Sequence, residues 1–181
     1  NGKAAIILAN GSLSAGGQEE VIRKNLIEAD LVDCILSMPS NLFYTVTIPC
    51  SIWILNRNKK HKGKTLFIDC RNLGTMVTRK LRELNEDDIS KIAGTYHSFQ
   101  DNETYEDVAG YCKASTIKEI KENNYVLTPG RYVGTEKQED DGVPFEEKMK
   151  TLTAELKVQF EESHKLEEKI KKNLEAIGYG I

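Results

Sequence analysis

Phe43 and Tyr44 are the side chains of this 181-residue chain best placed to recognise a flat ligand. They stand side by side between Pro39 and Pro49, in a connection that runs into the apolar stretch Ile52-Trp-Ile-Leu55. Connections lie at the surface, where adjacent aromatic rings gain little unless something stacks on them. A second feature is the run Arg57, Lys59, Lys60, Lys62 and Lys64, with no acid between its members. Clustered cations can neutralise phosphates and give salt-dependent affinity. They can equally form a solvated turn that keeps an edge strand from aggregating. Arg79-Lys-Leu-Arg82 is a smaller set with the same chemistry.

Other chemistries find little support. Asp87 and Asp88 suit the first turn of a helix, and Asp69 suits a strand end. His61, His97 and His164 lack ligand spacing, so no metal site is expected. Cys34, Cys50, Cys70 and Cys112 contain no C-x-x-C pair, and the first three fall in apolar runs. They read as reduced thiols acting as small hydrophobes, with no disulfide framework.

The elements that must position these residues follow from patterning. Lys3–Ala9 reads as a buried strand, and Gln18–Ala29 as a helix with Glu19 and Glu20 in its first turn. Leu31–Leu36, Pro49–Asn56 and Thr65–Cys70 read as three more strands. Strand, helix and strand within so short a span imply a crossover unit and a parallel pair. The later strands are joined without helices, so antiparallel pairing is permitted there. The expectation is an α/β fold with a mostly parallel, mixed sheet and an antiparallel strand near its edge.

Asn85 can cap a helix carrying Ile89, Ile92, Ala93, Tyr96 and Phe99 at helical spacing. Thr116 and Glu119 form a capping box for a short helix. Asn124–Val133 reads as extended with a turn at Pro129-Gly130, and Gly134–Gly142 as an acidic linker. Pro144 opens a long helix ending near Gly178, on which Phe145, Met149, Leu152, Leu156, Leu166, Ile170 and Ile177 keep a 3.5-residue spacing. Gln159 and Ser163 interrupt that seam. At about 50 Å such a helix needs a surface to pack on.

The formal net charge of −3 argues against attraction of the whole surface to nucleic acid. Any such contact must come from a local patch or a partner subunit. No apolar run approaches the roughly 20 residues of a membrane span, so no membrane role and a cytoplasmic location are expected. The chain begins at Asn1 in the lead-in to a strand, which suggests a piece of something longer.

Three blocks carry a resemblance. The first is Gly2-Lys-Ala-Ala-Ile-Ile-Leu-Ala-Asn-Gly-Ser-Leu-Ser-Ala-Gly-Gly17 with the Ile22-Arg23 and Leu31-Val32 segments. The second is Met38-Pro39, Leu42-Phe-Tyr44, Ile48-Pro49 and the strand to Leu55. The third is Gly110-Tyr-Cys-Lys113 with Tyr125-Val-Leu-Thr-Pro-Gly-Arg-Tyr-Val-Gly134, ahead of a tail ending in Ile177-Gly-Tyr179. In order and spacing these resemble the later methyltransferase motifs of the modification subunit of type I restriction-modification systems. The resemblance spans nearly the whole chain. Ala9 stands where the family usually has proline, which loosens one turn.

The resemblance implies transfer of a methyl group from S-adenosylmethionine to the exocyclic amine of adenine in DNA. It implies the C-terminal half of a Rossmann-like sheet followed by a long C-terminal helix. Three regions are expected: 1–109 as the later part of the catalytic domain, 110–142 as connecting segment and linker, and 143–181 as a helical tail. The family's aromatic-Gly-x-Gly cofactor loop and Asn-Pro-Pro-aromatic tetrapeptide do not occur, since all four prolines are isolated. No catalytic residue is therefore expected in this chain, which alone should be inactive, with the cofactor site mostly in an upstream part.

By the same resemblance Phe43 aligns with the ring that stacks on an extruded adenine, with Tyr44 beside it. A ring capping the core at a strand end is the competing reading of Phe43. The resemblance also implies DNA, a specificity subunit and a restriction subunit as partners, the specificity subunit meeting the terminal seam. An uncovered sheet edge would favour self-association of the piece alone. A non-catalytic interaction module whose tail helix binds a partner is the alternative.

Overall fold

The computed structural model describes residues 2–101, 104–135 and 144–180. The chain divides into two compact units, 1–137 and 138–181. The first is built on five strands: β1 (Lys3–Ala9), β2 (Val32–Ser37), β3 (Cys50–Asn56), β4 (Lys64–Asp69) and β7 (Cys112–Thr116). A separate two-stranded hairpin pairs β5 (Thr75–Met76) with β6 (Arg82–Glu83). The helices of this unit are α1 (Gln18–Glu28), α2 (Glu86–Asp101) and α3 (Ile117–Glu122).

The sheet order is β1-β3-β2-β4-β7. Among the described residues only β2 and β4 pair in parallel, while β1–β3, β3–β2 and β4–β7 are antiparallel. The mixed α/β sheet expected from sequence is present, but most of its pairings are antiparallel rather than parallel. The α1 crossover does leave β1 and β2 pointing the same way. They are not neighbours, because β3 returns from β2 without a helix and fills the gap between them.

Strand β2 lies at the centre, and all six of its residues are buried. Val32 and Ile35 join Leu13, Ile27, Trp53, Phe67, Ile120, Leu127 and Tyr132 on one face. Cys34 and Leu36 join Leu66, Ile68, Phe99 and Tyr111 on the other. Each large apolar side chain fully buried in such a layer contributes about 1.5–3 kcal/mol. A bulge between Val32 and Cys34 gives β2 an extra residue, Asp33. Its buried carboxylate accepts hydrogen bonds from Asn56 Nδ2, Tyr96 Oη and Gln100 Nε2, tying α2 to the sheet.

Three expectations need correction. Strand β1 is exposed along all seven residues, because it is an edge strand whose faces are also left uncovered, unlike β7 at the other edge. The segment from 110 onward is no mere connection. It supplies β7 to the sheet edge, and Tyr125, Leu127, Tyr132 and Val133 to the core, with Tyr132 stacked on Phe67 at 3.9 Å. The turn from β3 to β4 does not make those strands neighbours, since β4 lies on the far side of β2. Of the expected acidic linker, residues 136–142 lie outside those described.

That last crossing has a visible cause. Helix α1 ends with Asp30 at φ 53° and Leu31 N donating to Leu26 O, a Schellman stop with aspartate in the usual glycine place. Asp30 then accepts from Lys59 Nζ at 2.5 Å and from Gly63 N at 3.0 Å. One side chain thus pins the 57–63 turn as it steps across the entry to β2.

In the second unit, α4 (Phe145–Ala176) is a single helix with no buried residue. Glu146 and Glu147 occupy its first turn. It stops in a Schellman motif, with Gly178 at φ 85° and Tyr179 N bonded to Leu174 O. No helix among the described residues is long and apolar enough to cross a membrane.

Removing Asp30 should leave Lys59, 4% exposed, as an unpaired buried cation. Asp30→Ala is expected to cost about 3–5 kcal/mol, measured by denaturant unfolding. Asp30→Ala combined with Lys59→Met is expected to recover much of that loss. An Asp30→Ala midpoint equal to wild type would refute the pinning role.

Candidate functional site

In open α/β sheets, ligands gather outside the carboxyl ends of the co-directional strands. Here those ends are Ala9, Ser37 and Asp69, brought into one row with Cys50 and Ser51 by the register of β1, β2, β3 and β4. The aromatic connection 38–49 leaves from this row, and so does the segment 70–84 that holds the β5–β6 hairpin. Backbone bonds from Met38 N to Cys50 O and from Cys70 N to Ser37 O close the base of this region.

Within the connection, Val46 N donates to Phe43 O at 3.1 Å, which makes residues 43–46 a tight turn. Tyr44 sits at a corner of that turn and is 79% exposed. Phe43 is 44% exposed and belongs to neither core cluster, whereas Leu42 beside it packs into the α2-side core. Leu42 therefore anchors the loop and leaves the two rings toward solvent.

The hairpin is fastened to this loop. Arg82 N donates to Asn41 O at 2.8 Å, and Arg82 Nη1 donates to the carbonyls of Leu73 and Gly74. Gly74 has φ 76°, and a Cβ there would lie 2.7 Å from Glu83 O, so only glycine fits. Thr78 Oγ1 accepts from Lys80 N and Leu81 N and shapes the tip. A cavity of about 270 Å³ results, lined by Tyr44, Thr78, Arg79, Lys80 and Leu81.

The two basic clusters therefore have different fates. Arg79 and Lys80 come to the aromatic loop. Arg57, Lys59, Lys60, Lys62 and Lys64 lie around the opposite end of β3 and β4, about 20 Å away at 3.3 Å per strand residue. Lys59 is buried against Asp30, Lys60 pairs with Asp101 at 3.0 Å, and Lys62 Nζ bonds Arg57 O. Lys59 is thus withdrawn from the phosphate-binding candidates, because its ammonium holds the fold together. The cluster as a whole does not share a surface with Phe43 and Tyr44.

Asp69 and Arg71 form a bidentate pair at the same end of the sheet, with Arg71 Nη2 2.6 Å from Asp69 Oδ2. The hydrogen bond to Asp69 raises the guanidinium pKa further. A Cβ at Gly130 would lie 2.7 Å from Arg71 Nη2, so the end of the Arg71 side chain would have to shift. Asp87 and Asp88 lie in the first turn of α2, where Asn85 and Asp88 cap reciprocally. All four cysteines are free and buried. Burial pushes the Cys34 thiol well above its ordinary value and that of Cys70 up to about 12, so both stay protonated and unreactive. The His61 ring stacks on Phe99 at 4.3 Å. Among the described residues, no cluster of His, Cys, Asp or Glu could hold a metal ion.

A larger groove of about 630 Å³ runs between β1 and α1, lined by Ile6, Leu8, Ile22, Leu26, Trp53 and Leu55 among others. Its charged residues are Glu19 and Arg23, and Arg23 donates to the carbonyls of Ser12 and Tyr125. Most of that lining is apolar, with Ser12, Glu19 and Arg23 as its polar side chains.

On α4 the expected seam is exposed at Met149, Leu152, Leu156, Leu166, Ile170 and Ile177. Phe160 and Val158 are exposed as well, and a 3.5-residue seam passes over both by running through Gln159. Phe160 follows Leu156 by four residues, a spacing that continues the apolar stripe past the interruption. Asp33 was also missed. Its signal in sequence was an acid inside an otherwise apolar strand.

A family model described as N-6 DNA Methylase matches residues 1–141. The methylase subunit of the type I restriction enzyme HindI from Haemophilus influenzae is 57% identical over 180 residues, which is 99% of this chain and 41% of that protein. The MjaIX methylase subunit from Methanocaldococcus jannaschii is 46% identical over 183 residues, 99% of this chain and 33% of that protein. The chain thus spans well under half the length of these relatives. A type I methyltransferase subunit from Streptococcus thermophilus superposes with a TM-score of 0.67 at 32% identity, over 75% of this chain and 27% of that one. The EcoKI M protein shares the fold, with a TM-score of 0.59 at 12% identity, over 76% of this chain and 35% of that one.

Gly74→Ala should unfasten the hairpin. Hydrogen exchange at the Val77 and Arg82 amides is expected to speed up by about fivefold to 150-fold, the effect of about 1–3 kcal/mol of local strain. Amides of β2 and β4 should keep their protection. Unchanged exchange at Arg82 would mean that the hairpin does not depend on this glycine.

Proposed function

We propose, from the premise that this chain belongs to the N-6 DNA Methylase family, that it is the later part of a type I modification subunit. The reading rests on the match to type I methylase subunits along 99% of the chain. The complete subunit transfers a methyl group to the exocyclic amine of adenine in DNA, with S-adenosylmethionine as donor.

That amine is a weak nucleophile because its lone pair is delocalised into the purine ring. Acceptors must hold its hydrogens so that the lone pair can turn toward the methyl donor. The Asn-Pro-Pro-aromatic tetrapeptide that does this in the family is not in this sequence. The cofactor is assigned mainly to the upstream part, and the β1–α1 groove of this chain is lined mostly by apolar side chains. The contribution of this part is to receive the base.

A target base inside a duplex is out of reach and must be rotated out, at a cost of a few kcal/mol. Stacking on an aromatic side chain returns about 1–3 kcal/mol. Phe43, half-exposed at the carboxyl end of the sheet, supplies the ring, and Tyr44 borders the same surface. Strand β1, with Ile6, Ile7 and Leu8 exposed on its open edge, is where an upstream half of the sheet docks. Expressed without that half, the chain self-associates through the same edge.

The exposed stripe on α4 is the contact for a helical partner, the specificity subunit of the same system, and the restriction subunit joins that assembly. Its imperfect seam suits a chosen partner, since polar positions fix register at some cost in stability.

Two measurements test this. Phe43→Ala in the full-length subunit, assembled with its specificity subunit, is expected to slow methyl incorporation about tenfold or more. It should also reduce the fluorescence gain of 2-aminopurine placed at the target. Unchanged turnover and extrusion would remove the stacking role. Leu156→Asp with Leu166→Asp is expected to abolish co-purification with the specificity subunit while the unfolding of the sheet unit stays as in wild type. An intact complex would place the partner elsewhere.

A further inference from the structure

We infer that the Thr78–Leu81 turn is a phosphate-binding element for the DNA strand whose base meets the aromatic loop, with Arg79 and Lys80 as its cations. The inference rests on the reading of Phe43 and Tyr44 as the base-side surface.

Four observations carry it. First, Tyr44, Arg79 and Lys80 line one cavity, so an aromatic surface and two cations face the same space. Second, Arg79 and Lys80 are exposed, and no carboxylate among the described residues pairs with either. Neighbouring cations are already engaged: Arg71 by Asp69, and Arg82 by two backbone carbonyls. Third, the turn is held in place by the Thr78 hydroxyl, by Gly74 at its positive φ and by the Arg82–Asn41 bond, so the backbone that carries its cations needs no further ordering. Fourth, Met76 and Val77 are exposed on the same hairpin, giving sugars and bases an apolar surface beside the charges. In a chain of net charge −3, phosphate contact has to be this local.

Phosphate contacts carry no sequence information and fix the register of the strand. A strand held at Arg79 and Lys80 would deliver one nucleotide to the rings. The remote lysines of the β3–β4 turn cannot serve that strand position.

The test uses the full-length subunit and a labelled single-stranded oligodeoxynucleotide, with a second probe of the same length built entirely of abasic sites. Affinity is measured between 50 and 200 mM salt. Arg79→Gln with Lys80→Gln is expected to weaken binding of both probes equally. It should reduce the slope of log K against log salt by about 1.4, the value for two single-strand phosphates. Arg79→Lys should keep the wild-type slope, and so should Lys60→Gln with Lys62→Gln. Phe43→Ala should weaken only the base-bearing probe.

An unchanged slope in the Arg79/Lys80 variant overturns the inference, as does loss confined to the base-bearing probe, or no binding of either probe by wild type. If Phe43→Ala affects neither probe while the slope still falls, the stacking reading fails and the phosphate site stands.

Discussion

Burial of β2 on both faces is the constraint on which the rest of the first unit depends. A strand with no exposed residue must be covered above and below and paired on both sides. Here α1, α3 and the 125–133 segment cover one face, α2 covers the other, and β3 and β4 complete the pairing. Some polar groups admitted to that layer are satisfied, while the buried Oγ atoms of Ser37 and Ser115 have no hydrogen-bond partner among the described residues. Asp33 is bonded by three side chains, and Thr65 Oγ1 donates to Val32 O. Once β2 is placed, its carboxyl end determines where the aromatic loop begins, and its amino end is where Asp30 must pin the crossing turn.

The same constraint separates structure from function along the strands. At the amino end of β2 and β4 two of the five cations are paired, Lys59 with Asp30 and Lys60 with Asp101, while Arg57, Lys62 and Lys64 stay exposed. At the carboxyl end Arg71 and Arg82 brace the local backbone, while Arg79, Lys80, Phe43 and Tyr44 remain exposed. Residues of like charge therefore have different surroundings, and position relative to the sheet decides which. Membership of the N-6 DNA Methylase family gives that exposed end its meaning.

Much of the architecture was legible. Strands β1 to β4, helices α1 and α2, the Thr116–Glu119 capping box and the long terminal helix all follow from periodicity, caps and breakers, which are local properties. Strand β7 was not legible, because Cys112-Lys-Ala-Ser-Thr has weak apolar alternation and is a strand only through pairing with β4. Nor was the exposure of β1, since an apolar run reads the same whether or not a neighbour covers it.

For the site, the residue types were visible in the sequence and their grouping was not. An aromatic pair between prolines, two basic clusters and an apolar stripe on a long helix are properties of the chain as written, and its likeness to type I methylase subunits is another. That two cations of the nearer basic cluster would pair with Asp30 and Asp101, and the farther cluster be carried to Tyr44 by a fifteen-residue excursion after β4, depended on strand order. Charge, size and periodicity are carried by each residue or its near neighbours. Which charges meet across tens of residues is set only when the central strand takes its partners, and this the tertiary structure alone decided.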